Sequence, residues 1–383
     1  VTGINVACRT AGSDGDSVVT AVPVYPPFLS APGMARRELI TVPLREDDSG
    51  WHWDLERFEA SLTPRTRLLL LCSPHNPVGR VFTRDELARM AEICLQHDII
   101  ICSDEIHCDL IFNDHQHIPT ASLDPEIAQH TITLMAASKT FNLAGLQCSF
   151  AIIQNDDLRE RYTQSGKGLV SWVNLMGMVA TEAAYRHGQA WLDELMRYLE
   201  ANRQYTYDYV NDQLPGITMA KPEGTYLAWL DCREAGIEEN PHKFFLEEAR
   251  VCVNNGADFG RGGEGFVRLN FGCPRATLTE ALERITGTAG EADPDRVAQE
   301  LALIAVKTDV AEELDRLDAH VDAARALLAA EGPKGRKLDF LTQEFNREAN
   351  TLGSKAQYPA LTRIGLDLKA VIDQMREQVQ NVE

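Results

Sequence analysis

Six short apolar runs between residues 17 and 155 constrain the fold of this 383-residue chain more than any other feature: SVVTAVPV, RELITVPL, RLLLLC, DIIICS, TITLMAA and SFAIIQ. Each has the length of a strand and is nearly continuous in its apolar character. Strands read this way when helices cover both faces of a sheet, whereas a sheet with one wet face shows alternation. The helical pattern RDELARMAEICLQH separates the third run from the fourth, as a crossover between parallel strands requires. The fold class is therefore α/β with a mostly parallel sheet, and ligands of such sheets collect outside the carboxyl ends of the strands.

Residues 156 to about 213 carry long helical patterns. From 214 to 285, the strand-like TYLAWLD and GFVRLNF mix with the helix-like PHKFFLEEA and TLTEALERI, which predicts a smaller α+β domain. TGTAGEADPD then has the composition of a linker. The expected division is a large domain over 1–175, a small α+β domain over 176–285, a linker at 286–290 and an all-α domain over 291–383. In that last part Val310, Leu314, Leu317, Val321, Ala324 and Leu328 recur at steps of four and three. So do Leu338, Leu341, Phe345, Ala349 and Leu352, and then Leu361, Ile364, Leu368, Val371 and Met375, giving three amphipathic helices.

Composition narrows the function classes. No apolar run approaches the roughly 20 residues of a membrane-spanning helix, so no membrane partner is expected. A formal net charge of −20 repels polyphosphate backbones, and residues 291–383 carry 12 Lys and Arg against 18 Asp and Glu, leaving RNA binding without a basic footprint. The nine cysteines include no CxxC pair. With Cys72, Cys102, Cys148 and Cys252 in apolar strand-like stretches, they predict reduced core thiols rather than disulfides or zinc. The opening VTGINVACRTAGSDGD lacks the pattern of a signal peptide and starts without Met, as though cut mid-domain, so cytoplasmic residence is expected.

Three segments carry chemistry together: LLLLCSPHNPVGR, IIICSDEIHCDL and LMAASKTFNLAGLQ. Each follows a predicted buried strand, which places Asn76, Asp104 and Lys139 at strand ends facing one crevice. An amide, a carboxylate and a lysine meeting there suit pyridoxal 5'-phosphate. Asp104 would hold the proton on the pyridine nitrogen; Lys139 would be the Schiff-base lysine and then the base at the substrate α-carbon.

The order and content of these segments, with KPEGTYLAWLD and GFVRLNFGCPR, resemble the aminotransferase class I/II family of fold-type-I pyridoxal-phosphate enzymes over residues 1–285. The similarity is closest to its cystathionine β-lyase branch, the MalY/PatB-type carbon–sulfur lyases. The resemblance implies a β-lyase acting on cystathionine or a related cysteine S-conjugate, a small-molecule amino acid, and a homo-oligomer. An aminotransferase is the nearest rival. It places Asn76 and His107 near the cofactor's phenolic oxygen, Tyr25 stacked on the ring and Ser138 on the phosphate. Arg268, with Asn76, receives the substrate α-carboxylate. Two departures stand out. Family members carry a longer N-terminal segment, of which Val1, Thr2 and Gly3 look like the end of the phosphate loop, and Gln147 replaces an Arg on the phosphate.

From about residue 291, RVAQELALIAVKTDVAEELDRLDAH, GRKLDFLTQEFNREANTLGSK and DQMREQVQNVE are similar to the C-terminal domain of the YicC family, regarded as endoribonucleases. Without the domain that precedes it there, this tail is expected to pack or oligomerise rather than cleave.

Other features have plainer readings. His75 reads as an ordinary core or loop histidine and GRGGEG as a turn. A solvated pair is the plain reading of Asp104 and Glu105, but the apolar strand directly before them argues that Asp104, at least, is buried against a partner. His320 with Glu312, Glu313, Asp315 and Asp318 resembles a metal cluster but reads as a solvated helix face. Arg336, Lys337 and Arg347 read as surface salt-bridging residues.

Overall fold

The computed structural model describes residues 1–47, 50–112, 115–288, 311–330, 332, 334–355 and 359–379. Val310 lies outside these, as do the side chains of Glu312, Glu313, Leu314, Asp315, Arg336, Leu352, Leu361 and Ile364. Two compact units are present, Val1–Gly290 and Glu291–Glu383.

All six apolar runs form strands of one sheet: β1 (Ser17–Val22), β2 (Glu38–Pro43), β5 (Thr66–Cys72), β6 (Ile100–Asp104), β7 (Thr131–Met135) and β8 (Phe150–Ile152), in the order β2-β1-β5-β6-β7-β8. A two-stranded ribbon, β3 (Arg45–Asp47) and β4 (Gly50–His52), lies between β2 and β5 in sequence. Every pairing in the large sheet is parallel except β7 with β8. The leucine run of β5 shows why it carries no alternation. Leu68 and Leu70 enter one core with Val18, Cys102 and Ile132, beneath α1 (Thr2–Thr10) and α2 (Pro26–Met34). Leu69 and Leu71 enter the other with Val19 and Ile101, beneath α3 (Leu55–Ser61) and α4 (Arg84–Gln96). Each fully buried leucine contributes about 1.5–3 kcal/mol relative to exposure. α4 starts at Thr83 because Thr83 and Glu86 form a reciprocal capping box.

A second sheet, β9 (Leu227–Asp231), β10 (Asn254–Asn255) and β11 (Phe266–Asn270), is antiparallel in the order β10-β11-β9. It shares its own core with the 25-residue helix Gln189–Gln213 and with Arg275–Thr288. The latter helix runs through the first residues of the expected linker, whose residues 289 and 290 lie outside the described ones. Buried Arg80 of NPVGR reaches Glu86 at 2.9 Å and Glu223 of KPEG at 2.6 Å, fastening the β5 turn to the segment that leads into β9.

None of the nine cysteines is in a disulfide. Cys72 and Cys102 are core residues, but Cys252 is exposed and Cys148 half-buried, against expectation. Val251 and Val253 point inward on an extended stretch, and the period of two turns Cys252 out.

Among the described residues the tail unit holds three helices, Ala311–Ala329, Gly335–Lys355 and Pro359–Val379. Ala324, Leu341, Phe345, Ala349 and Ile372 form its core, with Leu317, Val321, Leu368 and Met375 packed around them. Leu328 and Val371, expected inside, are 64% and 52% exposed. A helix of 3.6 residues per turn drifts away from a 3.5-residue stripe, so Ile372 takes the place assigned to Val371. Among the described residues, no helix is long and apolar enough to cross a membrane.

Candidate active site

The strand ends of the large sheet bring the predicted residues together. Asp104 is the last residue of β6, in register beside Cys72 of β5, and Asn76 lies four residues past β5. Lys139 lies four residues past β7, in a turn closed by the Phe141 N–H donating to Ala137 O at 2.9 Å. The turn is held from the side by Thr140, whose buried hydroxyl donates to Asp109 Oδ2 at 2.9 Å, next to the turn that carries His107. No hydrogen bond or ion pair engages the Lys139 amine among the described residues, yet its charge is felt at both Asp104 and His107.

Asp104 is buried, and its Oδ1 has no hydrogen-bond partner. Burial pushes its carboxyl up to about 6, against the opposing pull of the Ile106 N–H and Lys139. A lone buried carboxylate is costly unless a cation or N–H donor meets it. His107 is likewise buried with an orphaned Nδ1, and burial with the charges of Lys139 and Arg268 brings it down to about 3. It is a neutral imidazole at physiological pH. Glu105, by contrast, is fully partnered: it accepts from Ser103 Oγ, from the Thr120 N–H and from His117 Nε2. Asp104 and Glu105 are therefore not a solvated pair, since both are buried.

Arg268 sits on β11 and reaches the same crevice. Its Nη1 donates to Asn76 Oδ1 at 2.8 Å, and Asn254 Oδ1 accepts from Nε at 3.2 Å and Nη2 at 2.7 Å. A guanidinium has five N–H donors. Three are used, and one N–H is left on each terminal nitrogen, the number a carboxylate takes with two bonds. The plane also lies over the Phe259 ring at 4.9 Å. Tyr25 precedes α2 and joins the cluster through its backbone N–H, which donates to Asn76 O at 3.1 Å. Ser138 is half-buried beside Lys139, and its hydroxyl makes no hydrogen bond among the described residues. Gln147 is exposed in a left-handed turn with φ 50°. His75 belongs to the scaffold, with Nε2 at 2.7 Å from Pro23 O and its ring edge-on to Phe82.

Two residues not singled out from the sequence complete the cluster. Tyr226 lies edge-on to His107, ring centroids 5.9 Å apart, and its phenol is raised by burial. It falls inside KPEGTYLAWLD, which was the one available signal. Asn254 clamps Arg268 from the neighbouring strand, a contact set by the β10–β11 register that no spacing along the chain reveals. A cavity of about 630 Å³ elsewhere, lined by Leu214, Ile217, Phe244 and Ile285, contains none of these groups.

The cluster fits pyridoxal 5'-phosphate. The orphaned Asp104 Oδ1 suits a protonated pyridine nitrogen, the unengaged Lys139 amine suits the aldehyde, and α1, which has no side-chain cap, offers backbone N–H groups to a phosphate. Comparison with known proteins points the same way. The Bacillus subtilis protein named cystathionine beta-lyase PatB is 39% identical over 288 residues, covering 74% of each chain. Escherichia coli protein MalY is 37% identical, covering 72% of this chain and 70% of its own. The crystal structure of Treponema denticola cystalysin, described as containing a pyridoxal 5'-phosphate cofactor, superposes with a TM-score of 0.73 at 36% identity, covering 75% of this chain and 74% of that one. Residues 273–383 match the family described as endoribonuclease YicC-like, C-terminal. Residues 1–285 match aminotransferase class I and II, the family to which this chain belongs.

Proposed function

We propose that the chain is a pyridoxal-phosphate-dependent carbon–sulfur β-lyase that splits cystathionine or a related cysteine S-conjugate into pyruvate, ammonia and a thiol. The carrying observation is the convergence, at the strand ends, of a buried carboxylate with one orphaned oxygen, a lysine amine that no described residue engages, and an arginine with N–H groups to spare. The names of PatB and of the Staphylococcus hominis carbon–sulfur lyase support the choice of reaction.

When bound, the cofactor supplies an electron sink for the pair left at the substrate α-carbon. The chain does the rest. Arg268 takes the substrate carboxylate on its two remaining N–H groups, and Asn76, fixed by Arg268 and by the Tyr25 backbone, sets the substrate's orientation. Lys139 would hold the cofactor, and its amine, once free, would take the α-proton and return it to the departing sulfur. Asp104 would hold the cofactor's ring nitrogen and neutral His107 its phenolic oxygen, while Tyr25 would take the ring face and Ser138 with the start of α1 the phosphate. The released enamine hydrolyses to pyruvate and ammonia, so one water is consumed per thiol freed.

Arg268→Lys keeps the charge but loses the fork. With a charge-assisted bond worth about 1.5–3 kcal/mol, KM is expected to rise roughly 10–100-fold with a smaller change in kcat. Steady-state kinetics on cystathionine checks this.

The same reading includes a homo-oligomer and residence in a reducing compartment such as the cytoplasm. Leu169, Val170, Trp172, Leu175 and Met176 form an exposed apolar run, with Trp172 fully exposed, the kind of surface a second copy covers. The nine unpaired thiols support the compartment. RNA as a partner draws no support from the acidic tail.

The test is to incubate loaded protein with L-cystathionine and quantify pyruvate and thiol. Equal amounts of both, independent of any added 2-oxo acid, are expected. Amino transfer to an added 2-oxo acid without thiol release would make the chain an aminotransferase instead.

A further inference from the structure

A second cavity, of about 370 Å³, lies at the amino ends of β5, β6 and β7, and its lining carries more positive than negative charge. Arg67 comes from the start of β5, His130 stands directly before β7, and Arg161 comes from the helix Asp156–Gly166. We propose that this cavity binds a small phosphate monoester between the guanidinium groups of Arg67 and Arg161.

Neither arginine makes an ion pair or hydrogen bond among the described residues, although the chain carries 57 acidic residues against 37 Lys and Arg. Two guanidiniums that find no carboxylate in so acidic a chain are left to water or to a ligand. Asp98, the single acid of the lining among the described residues, is exposed and pairs with neither. Arg67 is half-buried, and its stem lies against Gly12, where an added Cβ would fall 2.9 Å from Arg67 Cγ. That contact limits the positions its head can take and so lowers the entropy lost on binding. His130 donates its Nδ1–H to Glu126 O at 3.0 Å, which leaves Nε2 for a ligand oxygen when the ring is protonated. Asn155 accepts from the Leu158 N–H through Oδ1 at 3.0 Å, and its amide N–H groups remain to donate.

This donor set selects phosphate. A carboxylate offers two oxygens in one plane, which a single guanidinium satisfies with two bonds. A phosphate monoester offers three terminal oxygens in a tetrahedral array and a charge of about −1.5 to −2, enough to engage both arginines. The volume lies near the lower end of the range of ligand pockets, about 300–1,000 Å³, which suits a compact ester. The site is separate from the cofactor crevice. Ile100, at the cavity, and Asp104, at the crevice, are four residues apart on β6, or about 13 Å at about 3.3 Å per residue. A bound ester would tie the helix Asp156–Gly166 to the amino ends of β5 and β7.

The experiment is isothermal titration calorimetry of glycerol 3-phosphate into the full-length protein, loaded with pyridoxal phosphate so that the cofactor's own phosphate site is filled, in phosphate-free buffer. One saturable site per chain is expected, with succinate binding at least roughly tenfold more weakly. Arg67→Gln and Arg161→Gln should each weaken ester binding at least roughly tenfold, with no change in the visible spectrum of the loaded protein. Arg161 is exposed, so its variant carries the test if Arg67→Gln does not fold. No saturable binding by the parent, succinate bound as tightly as the ester, or unchanged affinity in Arg161→Gln would overturn the proposal.

Discussion

Lys139→Ala is expected to stay folded, remain colourless after incubation with pyridoxal phosphate, and lose kcat by roughly 10³-fold or more. The fold should tolerate the change because the Lys139 amine makes no hydrogen bond or ion pair among the described residues; the turn is held by Thr140, Asp109 and backbone bonds instead. The activity should not tolerate it, because no other amine in the cluster can capture the cofactor or take the α-proton. Lys139→Arg separates charge from chemistry: it keeps a cation near Asp104 and His107 but should be as inactive as the alanine variant. Circular dichroism, visible absorbance and single-turnover kinetics on the same samples distinguish lost chemistry from lost structure.

Asp104→Asn is expected to lower kcat/KM by a comparable factor while raising the stability of the cofactor-free protein at neutral pH. The folded carboxyl, at about 6, sits above its ordinary 3.8. Between those values the folded chain binds more protons than the unfolded one, so stability falls as pH rises through this window. Above it, the penalty is complete, on the order of 2–3 kcal/mol. Asparagine removes the charge and with it most of the penalty, though its buried amide still lacks a partner. Cofactor-free Asp104→Asn should therefore melt a few degrees above the parent at pH 7.5, with the difference closing toward pH 4. A variant less stable at pH 7.5 than at pH 4, relative to the parent, would contradict the burial argument. Loading the parent with cofactor should reverse the order, since the carboxylate then has its partner.

How far the sequence reveals these features depends on which interaction fixes each one. The six strands were legible because a sheet covered on both faces leaves nearly continuous apolar runs, as in Leu68 to Leu71. The direction of β8 was not, because a three-residue edge strand reads the same parallel or antiparallel. Asn76, Asp104, Lys139 and Arg268 stood out through short motifs in a fixed order. Asn254, which aims Arg268, leaves no motif, because its contact depends on cross-strand register. The tail shows the same divide. His320 was visible with acidic residues on its own helix, but the carboxylates that stand near it, Glu344 and Glu348, come from the next helix, and nothing along one helix encodes the rotation of another. Val371 and Ile372 exchanged places for a related reason, since a one-residue choice within a stripe is settled by packing.

The most direct test of the account is to reduce the cofactor-loaded protein with borohydride, digest it and locate the pyridoxyl group by mass spectrometry. One pyridoxyl group per chain, on the peptide containing Lys139, is the expected result. A label on another lysine, or none while the protein remains folded, would contradict the assignment of the active site.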